Sequence, residues 1–213
     1  DAMALNWKQL RIGRNDRAIL LGRTGCGKTT LARYLIEDPS KQFSVVYDPK
    51  ASDAIAKWTD TQKQYTSFDK LQYAQENRVI YTPNPFEEQD AQTQDDFFSW
   101  VYWRYYTRLY IDEAYALIGG TRPSRHLLAC LSRGRERGIS TITAVQRPRN
   151  FPIVLMSEAE HSYIFSLRTL EDKQRVREYT TLSIDAQTDL DEFEFYYFNV
   201  RTGLYPKKLK LNI

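Results

Sequence analysis

The chain is expected to adopt an α/β fold of three layers, with a mostly parallel central sheet between helices and a C-terminal β-hairpin. Three observations predict it. Short apolar runs of the kind found in strands buried on both faces recur along the sequence. Segments with helical spacing of apolar residues lie between most of them. The last two such runs follow one another with only "RTG" between them, which reads as a hairpin. Strands alternating with helices imply parallel strands joined by crossovers.

The elements follow in order. "RAILLG" (17–22) is the first strand, and "KTTLARYLIED" is a helix with Leu31, Tyr34 and Leu35 on one face, stopped by Pro39. "FSVVYD" (43–48) and "RVIYT" (78–82) are the second and third strands. Residues 94–106 read as a helix with an aromatic face, and the run "FFSWVYWRYY" (97–106) reads as core rather than as a platform for bases. "RLYID" (108–112) is a strand, 122–137 a helix and "ISTITAV" (139–145) a strand. "HSYIFSL" (161–167) and "TLEDKQRVREYT" (169–180) form the next strand and helix. The terminal hairpin occupies 192–213, and Pro206 places its second strand at a sheet edge.

At 213 residues the chain reads as one domain able to bury a core without staples. No run reaches the ~18 apolar residues of a membrane span. Asp1 and Ala2 look like a cloning remnant, so Met3 is the expected start. Cys26 and Cys130 fit neither a disulfide framework nor a zinc site, which points to a reducing, intracellular setting.

The net charge is +3, but it is unevenly spread. Residues 122–149 hold seven arginines against one acid, Glu136, whereas 87–96 hold five acids and no base. Such asymmetry suits a surface facing a polyanion, or a solvated arginine face. The lysines of the hairpin, Lys207, Lys208 and Lys210, read as edge-strand protection or as a basic rim.

"GRTGCGKT" (22–29) fits G-x-x-x-x-G-K-[ST], between a strand and a helix. This is a P-loop, so the chain is expected to be a P-loop NTPase. The glycines let the backbone wrap phosphate oxygens, and the helix N-terminus favours anions. Lys28 would reach the β- and γ-phosphates of ATP, and Thr29 would offer its hydroxyl to Mg²⁺. The candidate cofactor contacts are Gly22, Arg23, Thr24, Gly25, Cys26, Gly27, Lys28, Thr29 and Thr30. Cys26 stands at a variable position of the motif and has no assigned chemistry.

Asp112 closes the apolar "LYI" and is the expected metal ligand, with Glu113 as the base that activates water. Asp48 in "YDPK" is the second candidate ligand. Gly22, Asp48, Asp112 and Gln146 all end strands, so they are expected at one rim, where open α/β sheets bind ligands. Gln146 there could sense the γ-phosphate. Leu127, Leu128 and Leu131 form a helical stripe that Arg135 prolongs. An arginine in that position needs an escape to solvent or an anion, so Arg135 is the candidate charge-stabilising arginine and Arg133 the second.

"GRTGCGKT", "LYIDEA", "GRERGISTITAVQRP" and "SYIFSL" followed by "EDKQRV" resemble the FtsK/HerA superfamily of P-loop DNA motor ATPases, over roughly residues 14–180. "YDPKA" resembles the Asp-x-Lys segment of the same families. The resemblance implies a RecA/ASCE-like fold, ATP hydrolysis with Mg²⁺, translocation of double-stranded DNA held by its phosphate backbone, and a homo-oligomeric ring, hexameric or pentameric. In the coupling proteins of the superfamily an arginine eleven positions before the glutamine is the finger, which corresponds to Arg135. A bare motor of this length is most similar to the genome-packaging ATPases of internal-membrane viruses with double-jelly-roll capsids. That implies a place in the host cytoplasm or on the virion, with capsid-vertex or membrane-associated partners.

Other classes remain open: a cellular or plasmid HerA- or conjugation-type translocase, a small-molecule kinase, and a nucleotide-dependent assembly protein. The Asn/Thr-Lys-x-Asp pattern that reads guanine is absent from the chain, which ranks a regulatory GTPase low.

Overall fold

A computed structural model describes residues 10–37, 42–118, 123–202 and 206–211. The first half runs β1 (Arg17–Leu21), α1 (Lys28–Ile36), β2 (Phe43–Tyr47), α2 (Asp53–Ala56), β3 (Lys63–Tyr65), α3 (Phe68–Leu71), β4 (Arg78–Tyr81), α4 (Pro85–Gln89) and α5 (Ala91–Arg104). The second half runs β5 (Thr107–Ile111), α6 (Ala114–Ile118), α7 (Arg125–Arg133), β6 (Ser140–Val145), α8 (Ile153–Ser157), β7 (His161–Phe165), α9 (Leu170–Tyr179), α10 (Ile184–Thr188), β8 (Glu194–Asn199) and β9 (Lys207–Lys210). Among the described residues the strands form one sheet, ordered β3-β4-β2-β5-β6-β1-β7-β8-β9. From β3 to β7 every pairing is parallel, and β8 and β9 join antiparallel.

Alternation along the strands builds the three layers. Ile19, Leu21, Leu109 and Ile111 face one core with Phe97, Leu127, Met156 and Val176 from the helices. Ala18, Leu20, Tyr110 and Ile142 face the other, with Leu31 and Leu35 of α1 and Trp58. β2, β5, β6 and β7 are buried at every position, which fits their many apolar and β-branched residues and leaves Ser44, Arg108, Ser140, His161 and Ser162 buried among them. Arg108 is buried within β5 and donates to Ser140 Oγ, Leu35 O and Ile12 O. It satisfies one of the open carbonyls at the end of α1 and ties that helix to the sheet.

The structure differs from the sequence expectation in places. The helix expected over 122–137 is described as α7 only to Arg133 and then tightens to a 3-10 turn, Gly134–Arg137. Gly138, at φ 71°, ends the turn. The aromatic helix begins earlier, at Ala91, because Asp90 caps it by accepting from Thr93 N at 3.0 Å. It ends at Arg104, where Tyr105 turns left-handed. Phe97, Phe98 and Val101 are core as expected, but Trp103, Tyr105 and Tyr106 are exposed. β3 and the shorter helices span three to five residues each, too few to show a period. The start at Met3, the stop at Pro39 and residues 203–205 lie outside the described residues, and of the expected turn "RTG" Arg201 and Thr202 close a 3-10 turn, Val200–Thr202. Among the described residues no helix is long and apolar enough to cross a membrane.

Candidate functional site

Parallel register brings the strand-end residues together. Tyr47 lies opposite Ile111, so Asp48 and Asp112 leave adjacent strands side by side. Leu21 lies opposite Val145, so Gly22 and Gln146 do the same. All four share the carboxyl rim.

The loop between β1 and α1 is pinned there by its own backbone. Gly22 N donates to Val145 O and Arg23 N donates to Ser166 O, which suspends the loop between β6 and β7. Two of its glycines are required by space as well as by backbone. At Gly22, φ 157°, a Cβ would lie 2.6 Å from Phe165 Cβ and 2.8 Å from Cys26 Sγ. At Gly27, φ 107°, it would lie 2.9 Å from Phe193 Cδ1. Gly27 begins α1 without a side-chain cap, and the first turn holds no acid. The open N–H groups of that turn, with the helix dipole, favour an anion.

Lys28 is buried, and its ammonium donates to Gly22 O and Arg23 O, both at 2.8 Å. Burial lowers its pKa, while Cys26, Asp112 and Glu113 oppose that shift. The Tyr110 hydroxyl donates to Asp112 Oδ1 at 2.7 Å and also meets the Thr29 side chain, which places Thr29 close to Asp112.

Asp48 is only 1% exposed. Its Oδ2 accepts from Ser52 N at 2.9 Å, and its buried Oδ1 has no hydrogen-bond partner. Burial, with Asp112 alongside, pushes its pKa up to about 6, against the pull of the Ser52 N–H. Glu113 is also buried, at φ 55°. A left-handed backbone at a side-chain-bearing residue is a strain that surrounding structure must hold. Lys50 Nζ lies 3.2 Å from Glu113 Oε2. Burial raises the Glu113 pKa and Lys50 opposes the rise.

On the other side of the loop, the Thr24 hydroxyl donates to Gln146 Oε1 at 2.9 Å. A cleft of about 350 Å³ opens there, lined by Arg23, Thr24, Gln146, Arg147 and Arg168. Arg147 Nη1 is 3.7 Å from the buried Asp172 Oδ2.

Arg135 is not at this rim. It sits in the 3-10 turn before β6, and the six residues of β6 separate it from Gln146, ~20 Å of strand. Its side chain is 52% exposed and pairs with Glu160 Oε1 at 3.3 Å. The α-helix ends at Arg133, so Arg135 does not prolong the leucine stripe as the helical spacing predicts. Arg133 is exposed in the last turn of α7. Both arginines lie at the amino edge of the sheet, away from their own chain's phosphate loop.

Lys50, Tyr110, Arg147 and Arg168 are not among the site residues that the sequence predicts, whereas Arg23 is. Lys50 stands two residues after Asp48, and that spacing was the available signal. Tyr110 looks like any buried aromatic in a strand, and nothing in the local pattern marks its hydroxyl.

The arrangement can hold phosphate oxygens with backbone N–H groups and a buried ammonium, and it offers a buried carboxylate to take a proton. Among the described residues no three His, Cys, Asp or Glu side chains gather into a metal cage. A Mg²⁺ site needs no such cage, since one or two carboxylates, waters and the substrate's phosphates suffice. The unpartnered Asp48 Oδ1 beside Asp112 and Thr29 fits that need with hard oxygen donors.

No protein-family description and no curated protein matches the chain. Among solved structures, it is similar to the genome packaging NTPase B204 from Sulfolobus turreted icosahedral virus 2 in complex with AMPPCP. The TM-score is 0.75 at 19% identity, covering 94% of this chain and 100% of that one. B204 from Sulfolobus turreted icosahedral virus, described as a DNA-packaging ATPase, gives 0.75 at 17% identity over 93% and 98%. VirB4 of Thermoanaerobacter pseudethanolicus gives 0.72 at 12% identity over 97% and 92%. The chain has the fold of these P-loop ATPases.

Proposed function

We propose that this chain is an ATP-hydrolysing motor that translocates double-stranded DNA, of the kind that packages viral genomes. The observation that carries the reading is the rim itself. A P-loop with a buried lysine lies beside a buried, strained glutamate, with a glutamine hydrogen-bonded to the loop. The likeness to two genome-packaging B204 structures supports the choice of process.

Lys28 exchanges its two carbonyl acceptors for phosphate oxygens, which are charged and therefore stronger acceptors. The N–H groups of the loop and of α1's first turn hold the remaining oxygens. Asp112, Asp48 and Thr29 would hold Mg²⁺, which when bound neutralises charge developing between the β- and γ-phosphates. Glu113 takes a proton from water as the water oxygen bonds to the γ-phosphorus. The bond from that phosphorus to the bridging oxygen breaks, and ADP leaves with the electron pair. Burial suits Glu113 to this work, because a raised pKa makes a better base near neutrality. Gln146, held by Thr24, orients the terminal phosphate or the attacking water. Arg135 is too far from its own loop and serves a neighbour's site in a ring, hexameric or pentameric. DNA is held by its phosphates and little by its sequence. The motor works in the host cytoplasm or on the virion, with partners at the capsid vertex or membrane.

A second reading, a cellular or plasmid HerA- or conjugation-type translocase, is favoured by the likeness to VirB4. The experiment that tests both is phosphate release with and without duplex DNA, together with duplex binding across a salt series. DNA-stimulated hydrolysis and a steep salt dependence are expected. A DNA-indifferent hydrolase, or affinity confined to one sequence, refutes the motor, and no hydrolysis leaves the assembly-protein class.

A further inference from the structure

The amino edge of the sheet carries a surface that the nucleotide site does not use. After α5, Tyr105 and Tyr106 cross to β5 with φ of 58° and 45°. Two successive left-handed residues with side chains are a strained route. Their rings gain little burial from it: Trp103 is 58% exposed, Tyr105 43% and Tyr106 70%. Arg137 stacks over Tyr102, Trp103 and Tyr105 at 4.2, 4.1 and 4.8 Å. Arg104 lies 3.9 Å over Phe43. Tyr106 N donates to Arg137 O, which joins this aromatic plate to the turn bearing Arg135. Exposed Trp, Tyr and Arg held in fixed stacks have the composition of protein-interface centres.

The other end of the same helix has the opposite character. Around the α4–α5 junction Phe86 is 88% exposed, and Glu88, Asp90 and Asp96 are exposed beside it. α5 is 14 residues long, ~21 Å, and runs from the carboxyl rim to the amino edge. One copy thus presents an acidic patch at one edge and a basic aromatic plate at the other. Such complementary surfaces at opposite edges let copies join head to tail.

We propose that the Trp103–Tyr106 plate, with Arg104 and Arg137, docks on the acidic α4–α5 junction of a second copy of this chain. The plate lies below β5 and the junction above β4, two strands away in the sheet order. The same displacement carries Arg135, below β6 and β1, over the ends of β2 and β5, where Asp48 and Asp112 stand. Only this last point rests on the motor reading. Duplex DNA fits the plate poorly, because its bases are stacked inside and its phosphates call for charge without rings.

The test is association measured by sedimentation velocity over a concentration series, with and without Mg²⁺ and a non-hydrolysable ATP analogue. Trp103→Ala/Tyr106→Ala is expected to weaken association about tenfold or more, with nucleotide binding by the isolated subunit unchanged. Glu88→Lys/Asp96→Lys makes both patches basic, and Arg104→Glu/Arg137→Glu makes both acidic. Each variant alone is expected to stay monomeric, and an equimolar mixture to assemble, because the two then alternate. Circular dichroism checks that each is folded. A wild-type chain that stays monomeric throughout overturns the proposal. So does a mixture of folded variants that fails to recover. Normal assembly of Trp103→Ala/Tyr106→Ala with loss of duplex binding also overturns it, and makes the plate a nucleic-acid surface. Assembly through these patches without ATP hydrolysis would sink the motor and leave the contact standing.

Discussion

Replacing Asp48 by asparagine tests the most exacting feature of the rim, a buried carboxylate with one oxygen unpartnered. Its pKa rises from the ordinary aspartate value of 3.8 to about 6 in the folded chain. An acid whose folded value exceeds its unfolded value binds its proton more tightly when folded. Between about pH 4 and pH 6 the native state therefore keeps a proton that the unfolded state has lost. Stability falls as pH rises through that window, and the whole deficit persists above it. The gap corresponds to ~3 kcal/mol. Asp48→Asn, which carries no charge, escapes the deficit. In urea unfolding with EDTA, the variant should gain ~3 kcal/mol on the wild type between pH 4 and pH 7.5. For a chain of this size that is ~6–12 °C in Tm. Measuring the difference between the two proteins at each pH cancels the other titrating groups. Saturating Mg²⁺ and nucleotide should close the gap, because a cation beside Asp48 stabilises its ionised form. A stability difference that does not change with pH refutes the reasoning, since Asp48 would then ionise normally when folded.

Three further outcomes are expected. Glu113→Gln should keep Mg²⁺·ATP binding and lose ~10²–10⁴ in single-turnover hydrolysis, and hydrolysis at the parental rate removes Glu113 as the base. Arg135→Ala should bind ATP normally and hydrolyse it poorly, Lys28→Ala should have a dead site with an intact arginine to lend, and mixing the two should restore part of the activity. No recovery in demonstrably mixed oligomers would place Arg135 in cis or in the fold. Gly27→Ala should lose ~2–5 kcal/mol in denaturant unfolding, from the contact with Phe193 and the φ of 107° together, and a loss under 1 kcal/mol would show that the loop relaxes freely.

Much of this site was legible because its chemistry is local. Gly22 to Thr29 specify a loop by spacing alone, and Asp48, Asp112 and Gln146 each end an apolar run, so parallel order puts them at one rim. What could not be read depends on partners far apart in the chain. The Lys50–Glu113 pair joins two strand ends 63 positions apart. The Tyr110 hydroxyl is a matter of which atom reaches Thr29 and Asp112, and strand periodicity reports only which face a residue takes. Arg135 was placed on a helical face by a period that Gly134 had already broken. The aromatic run was read as one thing and is two, with Phe97, Phe98 and Val101 inside and Trp103 to Tyr106 outside. The divide falls where α5 runs out beyond the layer that would cover it.

The charges of the rim are also sorted across the sheet. The acids Asp48, Asp112 and Glu113 follow β2 and β5, while Arg23, Arg147 and Arg168 surround the ends of β1, β6 and β7. The phosphate loop hangs between β6 and β7, next to the acidic side. A triphosphate seated there meets carboxylates on one side and guanidinium groups on the other, so the field across the loop selects one direction for the chain of phosphates. In the proposed reaction cation and attacking water belong on the acidic side, where Lys28 and Lys50 are the cationic side chains among the described residues. Lys28 is the loop's own cation, which leaves the carbonyls of Gly22 and Arg23 for the phosphates, and Lys50 is held against Glu113. The proposed hydrolysis would develop charge on that side, and among the described residues the subunit places no further cation there. Arg135 stands at the opposite edge of the sheet, with half its side chain free to solvent. A head-to-tail neighbour is the simplest geometry that brings the one to the other.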